Sequence, residues 1–333
     1  MSHANISVFV PHLGCPNRCS FCDQVTISGA EKQPNKMDID EAVKTAMQSP
    51  KYDAKNTELA FFGGSFTAIN RDYMCELLSA AVRFVEKGYI NGIRISTRPD
   101  CIDRKVLGIL KQYGVTAIEL GAQSMCDDVL QANDRGHTAD AVRQASALIK
   151  ENEFELGLQM MTGLYKSSAE KDILTAQEII MLKPETVRIY PSITLKNTRL
   201  AKLFELGEYI PPTLEETVKL CSKLKVMFLK SNIKIIRMGL HSINEDNYIA
   251  GPWHPAFSEL CDSGIYFNKI VDKLAVKGEY KLFVNPKDIS KTVGNKRSNI
   301  EKLNSLGYKC TVIADEGVTS SEIRVERMNN SCF

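Results

Sequence analysis

Three cysteines, Cys15, Cys19 and Cys22, stand in a C-x3-C-x2-C spacing within PHLGCPNRCSFCDQ, which runs from Pro11 to Gln24 directly after an apolar stretch. Thiolates this close along the chain can converge on one metal centre. Three of them cannot complete the four-thiolate shell of an electron-transfer [4Fe–4S] cluster, so one iron would stay open to an external ligand. Two other readings of the spacing stand beside this one: a zinc knuckle short of its fourth ligand, and three unrelated thiols.

The same spacing, with Phe21 just before the third cysteine, resembles the signature of the radical S-adenosylmethionine (SAM) superfamily. The resemblance implies a [4Fe–4S] cluster on Cys15, Cys19 and Cys22, with the amino and carboxylate groups of SAM on the open iron. It further implies reductive cleavage of SAM to a 5′-deoxyadenosyl radical, with Phe21 beside the adenine.

The elements that must position these residues alternate along the chain. Residues 5–10 (NISVFV) read as a buried strand that delivers the cysteines at its C-terminal end. A helix over 38–49 precedes a second strand, Glu58 to Phe62, which ends in Gly63 and Gly64. Further strands are expected at 92–98, 116–121, 154–161 and 186–190, with one near 233–237, and helices between them. Strand and helix alternate about six times and several strands are continuously apolar, which predicts a parallel sheet buried on both faces. The fold class is therefore α/β, a partial TIM-type (β/α)6 barrel, whose chemistry gathers on loops at the C-terminal strand ends. The motifs fall on that rim: the cysteines, the glycine pair, Thr97 with Arg98 and Pro99, the Gln123 to Arg135 region, and Tyr190 with Pro191.

Glycine after a strand lets backbone approach a ligand, and equally marks a plain turn. The resemblance gives Gly63 and Gly64 to the SAM amino group. Within GAQSMCDDVLQANDRGHT it gives Gln123 and Arg135 to the ribose and carboxylate, as in the oxygen-independent coproporphyrinogen oxidase branch. Arg135 can grip a carboxylate bidentately, although a surface charge is the plainer reading. Tyr190 and His137 are candidates for substrate-side chemistry, each with a packing or backbone-satisfying alternative.

The segments IELGAQS, NDRGHT, LQMMTGL and RIYPSITLKNTRLAKLFELGEY, in that order, resemble the radical SAM domain of the elongator catalytic subunit family, which modifies wobble uridine of transfer RNA. The resemblance covers roughly residues 5–240 and implies an RNA substrate together with an external electron donor such as flavodoxin or ferredoxin. The family's acetyltransferase domain is not expected in the remainder. A tetrapyrrole or other small substrate, and a non-catalytic haem- or cluster-carrying protein, are the competing readings.

Composition agrees with a globular chain: of 333 residues 44 % are hydrophobic and 25 % charged, with a net charge of +2. No apolar run reaches the roughly 18 residues of a membrane span, and the N-terminus lacks a signal-peptide pattern, so a cytoplasmic location is expected. The seven other cysteines read as buried small hydrophobes, with Cys126 held open because it lies beside the Gln123 motif.

Charge is uneven: residues 265–333 carry 12 Lys and Arg against 8 Asp and Glu. A barrel over 1–240, a helical closing segment over 241–276 and a small β-α-β-β domain over 277–333 are expected. In the last, Lys287, Lys291, Lys296 and Arg297 surround Gly294 in a pattern distantly similar to a KH module, whose GxxG loop clamps single-stranded nucleic acid. The second glycine is absent, and a solvated basic helix is the plainer alternative.

Overall fold

The computed structural model describes residues 4–11, 15, 18–23, 32–240, 243 and 245–328. Of the cysteine stretch, residues 12–14, 16–17 and 24 lie outside the described ones, as does Cys332.

Seven parallel strands form one sheet in sequence order. They are β1 (Ala4–Phe9), β2 (Thr57–Phe62), β3 (Gly92–Thr97), β4 (Val115–Gln123), β5 (Glu155–Thr162), β6 (Thr186–Pro191) and, after a two-residue β7 (Thr194–Leu195), β8 (Lys234–Met238). β7 pairs instead with β9 (Tyr248–Ala250) in a small antiparallel ribbon. The sheet thus has one strand more than a (β/α)6 barrel, because Lys234–Met238 adds to the free edge of β6. The curled half-barrel class is the expected one.

The helices open on residues legible in the sequence. α1 (Lys36–Met47) starts at Asn35, whose side chain accepts from Met37 and Asp38, with Asp38 returning the bond as a capping box. α2 (Arg71–Glu86) is capped by Asn70 and α3 (Arg104–Gln112) by Asp103. The short α4 (Asp127–Ala132) has no side-chain cap but carries Asp127 and Asp128 in its first turn, where they meet the helix dipole. Thr138 caps α5 (Ala139–Glu151), Ser168 caps α6 (Ala169–Leu182) and Thr198 caps α7 (Arg199–Glu205). Each cap satisfies an amide that the first turn leaves without a partner, a contribution of about 1 kcal/mol apiece.

The two faces of the sheet differ. Register places Ile93 and Ile95 of β3 with Ile118 and Leu120 of β4 on the face that packs under helices. The opposite face carries Glu58, Arg94, Glu119, Glu155 and Arg188, all but Glu155 at most 7 % exposed. Several strands read as continuously apolar, and on this face charged positions are interleaved between their apolar ones. These charges sit at alternate positions and are tolerated because each is paired. Arg94 reaches Glu58 at 2.7 Å and Glu155 at 2.8 Å, and Arg188 grips Glu119 bidentately at 2.6 and 3.0 Å. Gly157 makes this crossing feasible, since a Cβ there would lie 2.7 Å from Glu119 Cγ.

Contacts divide the chain into two units: residues 1–212 with 228–253, and residues 213–227 with 254–333. The 241–276 segment is therefore shared between them. The helix α8 (Leu214–Lys230) contributes to both. The second unit contains α9 (Phe257–Val271) and a three-stranded sheet of β10 (Gly278–Val284), β11 (Tyr308–Ala314) and β12 (Ile323–Arg327), ordered β11-β10-β12. Its core gathers Tyr266, Ile270, Tyr280, Leu282, Leu303 and Ile323. Between β10 and β11 the sequence predicts one helix over 288–306. Two short ones form instead, α10 (Ile289–Val293) and α11 (Ser298–Ser305), because Gly294 turns out of the helix at φ +81°.

Candidate functional site

The rim residues converge. Cys15, Cys19, Cys22, Gly63, Gly64, Gln123 and Arg135 all line one cavity of about 510 Å³ at the C-terminal ends of the strands, together with Phe21, Arg98 and Gln159.

The cysteine loop is fixed from behind. Ser20 Oγ donates to Asn133 Oδ1 at 2.6 Å, and its amide donates to the Asn133 carbonyl. Ser20's own carbonyl accepts the Leu200 amide, in the first turn of α7, at 2.7 Å. Cys22 N–H bonds the Cys19 carbonyl at 3.1 Å, so the second and third cysteines sit on one turn. Burial and the neighbouring Cys19 and Cys15 push the Cys22 thiol up to about 12, and burial followed by Cys19 raises Cys15. The three thiols thus feel one another's charge, and a metal taking them up would release protons.

No three of the described His, Cys, Asp and Glu side chains close on a single ion. A four-iron cluster takes thiolates at separate irons and spreads its sulfurs over its own width. The three thiols lining one cavity supply the donor set such a cluster would take.

Gly63 and Gly64 have φ +82° and +47°, conformations that glycine adopts without strain. A Cβ on Gly63 would meet the Val10 carbonyl oxygen at 3.2 Å, so the β2 turn lies tight against the strand that carries the cysteines. Next to it, Ser65 Oγ and Thr67 Oγ1 each bond Thr97 Oγ1, at 2.8 and 2.7 Å, and lock the β2 and β3 ends together.

Gln123 ends β4 at a bulge with φ +64°. Its Oε1 is buried and has no hydrogen-bond partner among the described residues, as is the case for Arg98 Nη1. Two buried polar atoms left open on residues lining one cavity fit a polar ligand that completes them. Arg135 Nη2 donates to the Gly121 carbonyl at 2.6 Å and Nη1 to Cys19 Sγ at 3.1 Å. Gly121 leaves the room: a Cβ there would lie 3.1 Å from Gln123 Nε2 and 3.3 Å from Arg135 Nη2.

His137 lies behind Arg135. Its Nε2 accepts from Arg135 Nε at 3.3 Å while Nδ1 faces the Thr138 carbonyl at 3.3 Å, the pattern of a neutral Nδ1–H tautomer. Burial, then the Arg135 charge, lowers its pKa to about 4. It props the arginine and does not line the cavity. Tyr190 does not line this cavity either; it stands in an adjoining one. Cys126 is at the start of α4, its Sγ 3.9 Å from the Lys171 carbonyl, outside both. Sequence reasoning placed Arg98 on the rim but gave it no role, and missed Gln159, although it lies within the quoted LQMMTGL segment.

In the second unit Lys287, Lys296 and Arg297 are exposed, with Lys296 at φ +49° and Arg297 at +64° in the Gly294 loop. Lys291 is engaged by Asp288 at 3.0 Å.

Residues 9–179 match the Radical SAM superfamily and residues 184–266 the Radical_SAM C-terminal domain. The chain belongs to the radical SAM superfamily. It is a radical SAM enzyme, and its cofactors are a [4Fe–4S] cluster and SAM. An uncharacterised protein of Methanocaldococcus jannaschii is 27 % identical over 73 % of this chain and 77 % of its own. A tRNA uridine(34) acetyltransferase of the same organism is 32 % identical over 41 % of this chain, and human Elongator complex protein 3 is 28 % identical over 52 %. This radical SAM chain spans only 26 % and 35 % of those two proteins' lengths. The archaeal Methanocaldococcus infernus Elp3 shares its fold, with TM-score 0.67 at 21 % identity over 84 % of this chain and 66 % of that one. Streptococcus suis SuiB bound to S-adenosylmethionine does so at TM-score 0.51 and 16 % identity, over 72 % and 51 %. Among the described residues no helix is long and apolar enough to cross a membrane.

Proposed function

We propose that this enzyme modifies a base in RNA, transfer RNA foremost, and that Cys15, Cys19 and Cys22 hold its cluster. The observation that carries the cofactor half is the convergence of those three thiols with Gly63, Gly64, Gln123 and Arg135 on one cavity. Gly63 and Gly64 present backbone to the SAM amino group, Gln123 offers its open Oε1 to a ribose hydroxyl, and Arg135 takes the carboxylate with Arg98 beside it. Phe21 covers the adenine. When bound, the cluster and SAM together supply a carbon-centred radical that removes hydrogen from a neighbouring substrate.

The chain's own residues do the rest. The locked Ser65, Thr67 and Thr97 hydroxyls and the Arg135–His137 pair fix the rim before anything binds, so that little reorganisation accompanies the reaction. The RNA half is supported by the transfer-RNA relatives and by the exposed Lys287, Lys296 and Arg297 in the second unit. Lys296 and Arg297 offer a backbone grip of KH-like placement in the loop that follows Gly294 between the two short helices, and Lys287 stands just before the first of them. A flavodoxin- or ferredoxin-type donor supplies electrons, and the enzyme works in the cytoplasm.

The deciding experiment is deletion of the gene followed by mass spectrometry of total RNA nucleosides. Loss of one modified nucleoside, with accumulation of its precursor, is expected. An unchanged profile would remove RNA from the reading.

A further inference from the structure

Among the described residues four arginines are buried, Arg94, Arg98, Arg135 and Arg188, each at most 7 % exposed. A guanidinium taken out of water is costly unless an anion compensates it. Three of the four bring a carboxylate. Arg94 reaches Glu58 and Glu155, Arg188 grips Glu119, and Arg98 takes Asp100 with Nε at 2.9 Å and Nη2 at 2.8 Å. Arg135 does not. Its partners are the Gly121 carbonyl, the His137 ring and the Cys19 thiol, and no carboxylate pairs with it among the described residues.

The thiol is the partner that can become an anion. Arg135 Nη1 lies 3.1 Å from Cys19 Sγ, and Cys19 is itself buried. With Cys19 a thiolate of the cluster, this contact is a charge-assisted hydrogen bond to a ligand sulfur. Net charge and hydrogen bonds at the sulfurs set the reduction potential of such a cluster. Reduction by one electron adds negative charge, so a cation held beside it favours the reduced form.

His137 fixes the direction of that donor. Its Nε2 accepts from Arg135 Nε, its Nδ1 faces the Thr138 carbonyl, and Thr138 caps α5, so the ring stands on fixed backbone. Arg98 Nη2 donates to the Arg135 carbonyl at 2.5 Å and holds the main chain beside it. With Nε on His137 and Nη2 on Gly121, Nη1 is the nitrogen turned to the cysteine loop.

We propose that Arg135 is a built-in counter-charge of the cluster, raising its reduction potential through Cys19, and that His137 is the residue that positions it. The inference rests on the assignment of the cluster to Cys15, Cys19 and Cys22 above. It gives Arg135 a role that does not require SAM, and gives His137 a role in place of substrate-side chemistry. The step affected is a one-electron transfer. A flavodoxin- or ferredoxin-type donor loses one electron and the cluster gains it, with no bond made or broken and no proton carried by Arg135 or His137.

The test is a potentiometric titration of the reconstituted full-length protein without SAM, read by the electron paramagnetic resonance signal of the reduced cluster, with iron counted in each sample. Arg135→Gln is expected to lower the ratio of reduced to oxidised cluster at a fixed potential about tenfold, which for one electron is about 59 mV. His137→Leu removes the acceptor and should lower the ratio about threefold, half that interval. His137→Gln keeps an acceptor for Arg135 Nε and should stay at the wild-type ratio. A wild-type ratio in Arg135→Gln at full iron content overturns the proposal. If that variant takes up no iron, His137→Leu decides, and an unshifted potential there overturns it. Equal shifts in His137→Leu and His137→Gln overturn the positioning role of His137. Failure of the cluster assignment reads differently: Cys19→Ala would then carry as much iron as the wild type.

Discussion

Arg135 Nη1 donates to Cys19 Sγ at 3.1 Å across 116 residues of sequence, binding the segment after β4 to the loop after β1. The same guanidinium reaches the Gly121 carbonyl and His137, so its three nitrogens have three partners. A lysine keeps the charge but not the fork. Hydrogen bonds to charged groups contribute about 1.5–3 kcal/mol each, so Arg135→Lys is expected to weaken SAM binding about tenfold to a hundredfold. His137→Ala removes only the prop and should weaken it a few-fold. Equilibrium dialysis on reconstituted protein checks both, and a lysine variant that binds SAM normally would remove Arg135 from the site.

Gly63→Ala tests the close approach of β1 and β2. A residue with a Cβ at φ +82° is strained by about 1–2 kcal/mol, and here the Cβ also presses on the Val10 carbonyl at 3.2 Å. Gly88, at φ +70°, has nothing within 4 Å of its Cβ position and serves as the control. Both variants should lose thermal stability, and only Gly63→Ala should also lose SAM affinity. Equal SAM binding in the two would show that the Gly63 turn does not touch the cofactor.

Asp172 makes stability depend on pH. Its carboxylate accepts the Gly163 amide at 2.9 Å and Ser167 Oγ at 2.6 Å, yet burial prevails and raises its pKa from 3.8 to about 6. Between those values the folded chain holds a proton that the unfolded chain has released. Stability from this group is therefore greatest below pH 4 and falls as pH rises through 6, with a full span of about 3 kcal/mol. Urea unfolding of the apo-protein at pH 4.5 and 6.5 should show the wild type losing about 2 kcal/mol relative to Asp172→Asn over that interval. Parallel pH profiles for the two proteins would contradict it.

The barrel was readable because its rim motifs fall one βα unit apart and its helices open on Asn35, Asn70, Asp103, Thr138, Ser168 and Thr198. The polar interior was not. Glu58, Arg94, Glu119 and Arg188 are ordinary charges along the chain, and only strand register brings Arg94 and Arg188 to the two sides of Glu119. His137 read as a candidate for substrate-side chemistry because its tie to Arg135 depends on side-chain direction. The helical pattern over 288–306 ran across Gly294 because a glycine within a helix is often tolerated, although the GxxG-like loop read at the same glycine marks the break, and the left-handed Lys296 and Arg297 leave no compositional trace.

Those basic residues give the last prediction. Lys287, Lys296 and Arg297 are exposed, whereas Lys291 is held by Asp288, a carboxylate that also accepts from Ser320 Oγ and the Ser321 amide. Burial alone would raise the Asp288 pKa, but these bonds outweigh it and hold it well below the usual carboxylate range. The stability Asp288 confers is thus present at neutral pH and lost only in strong acid. Lys291 and the other three should therefore behave differently on substitution. If the exposed three each neutralise one phosphate of a single strand, replacing all of them with alanine should reduce the slope of log binding constant against log salt by about 2. Lys291→Ala should leave that slope nearly unchanged while lowering the unfolding midpoint. Fluorescence anisotropy with labelled transfer RNA at several salt concentrations measures the slopes. A triple variant with the wild-type slope would take the RNA contact away from the Gly294 loop.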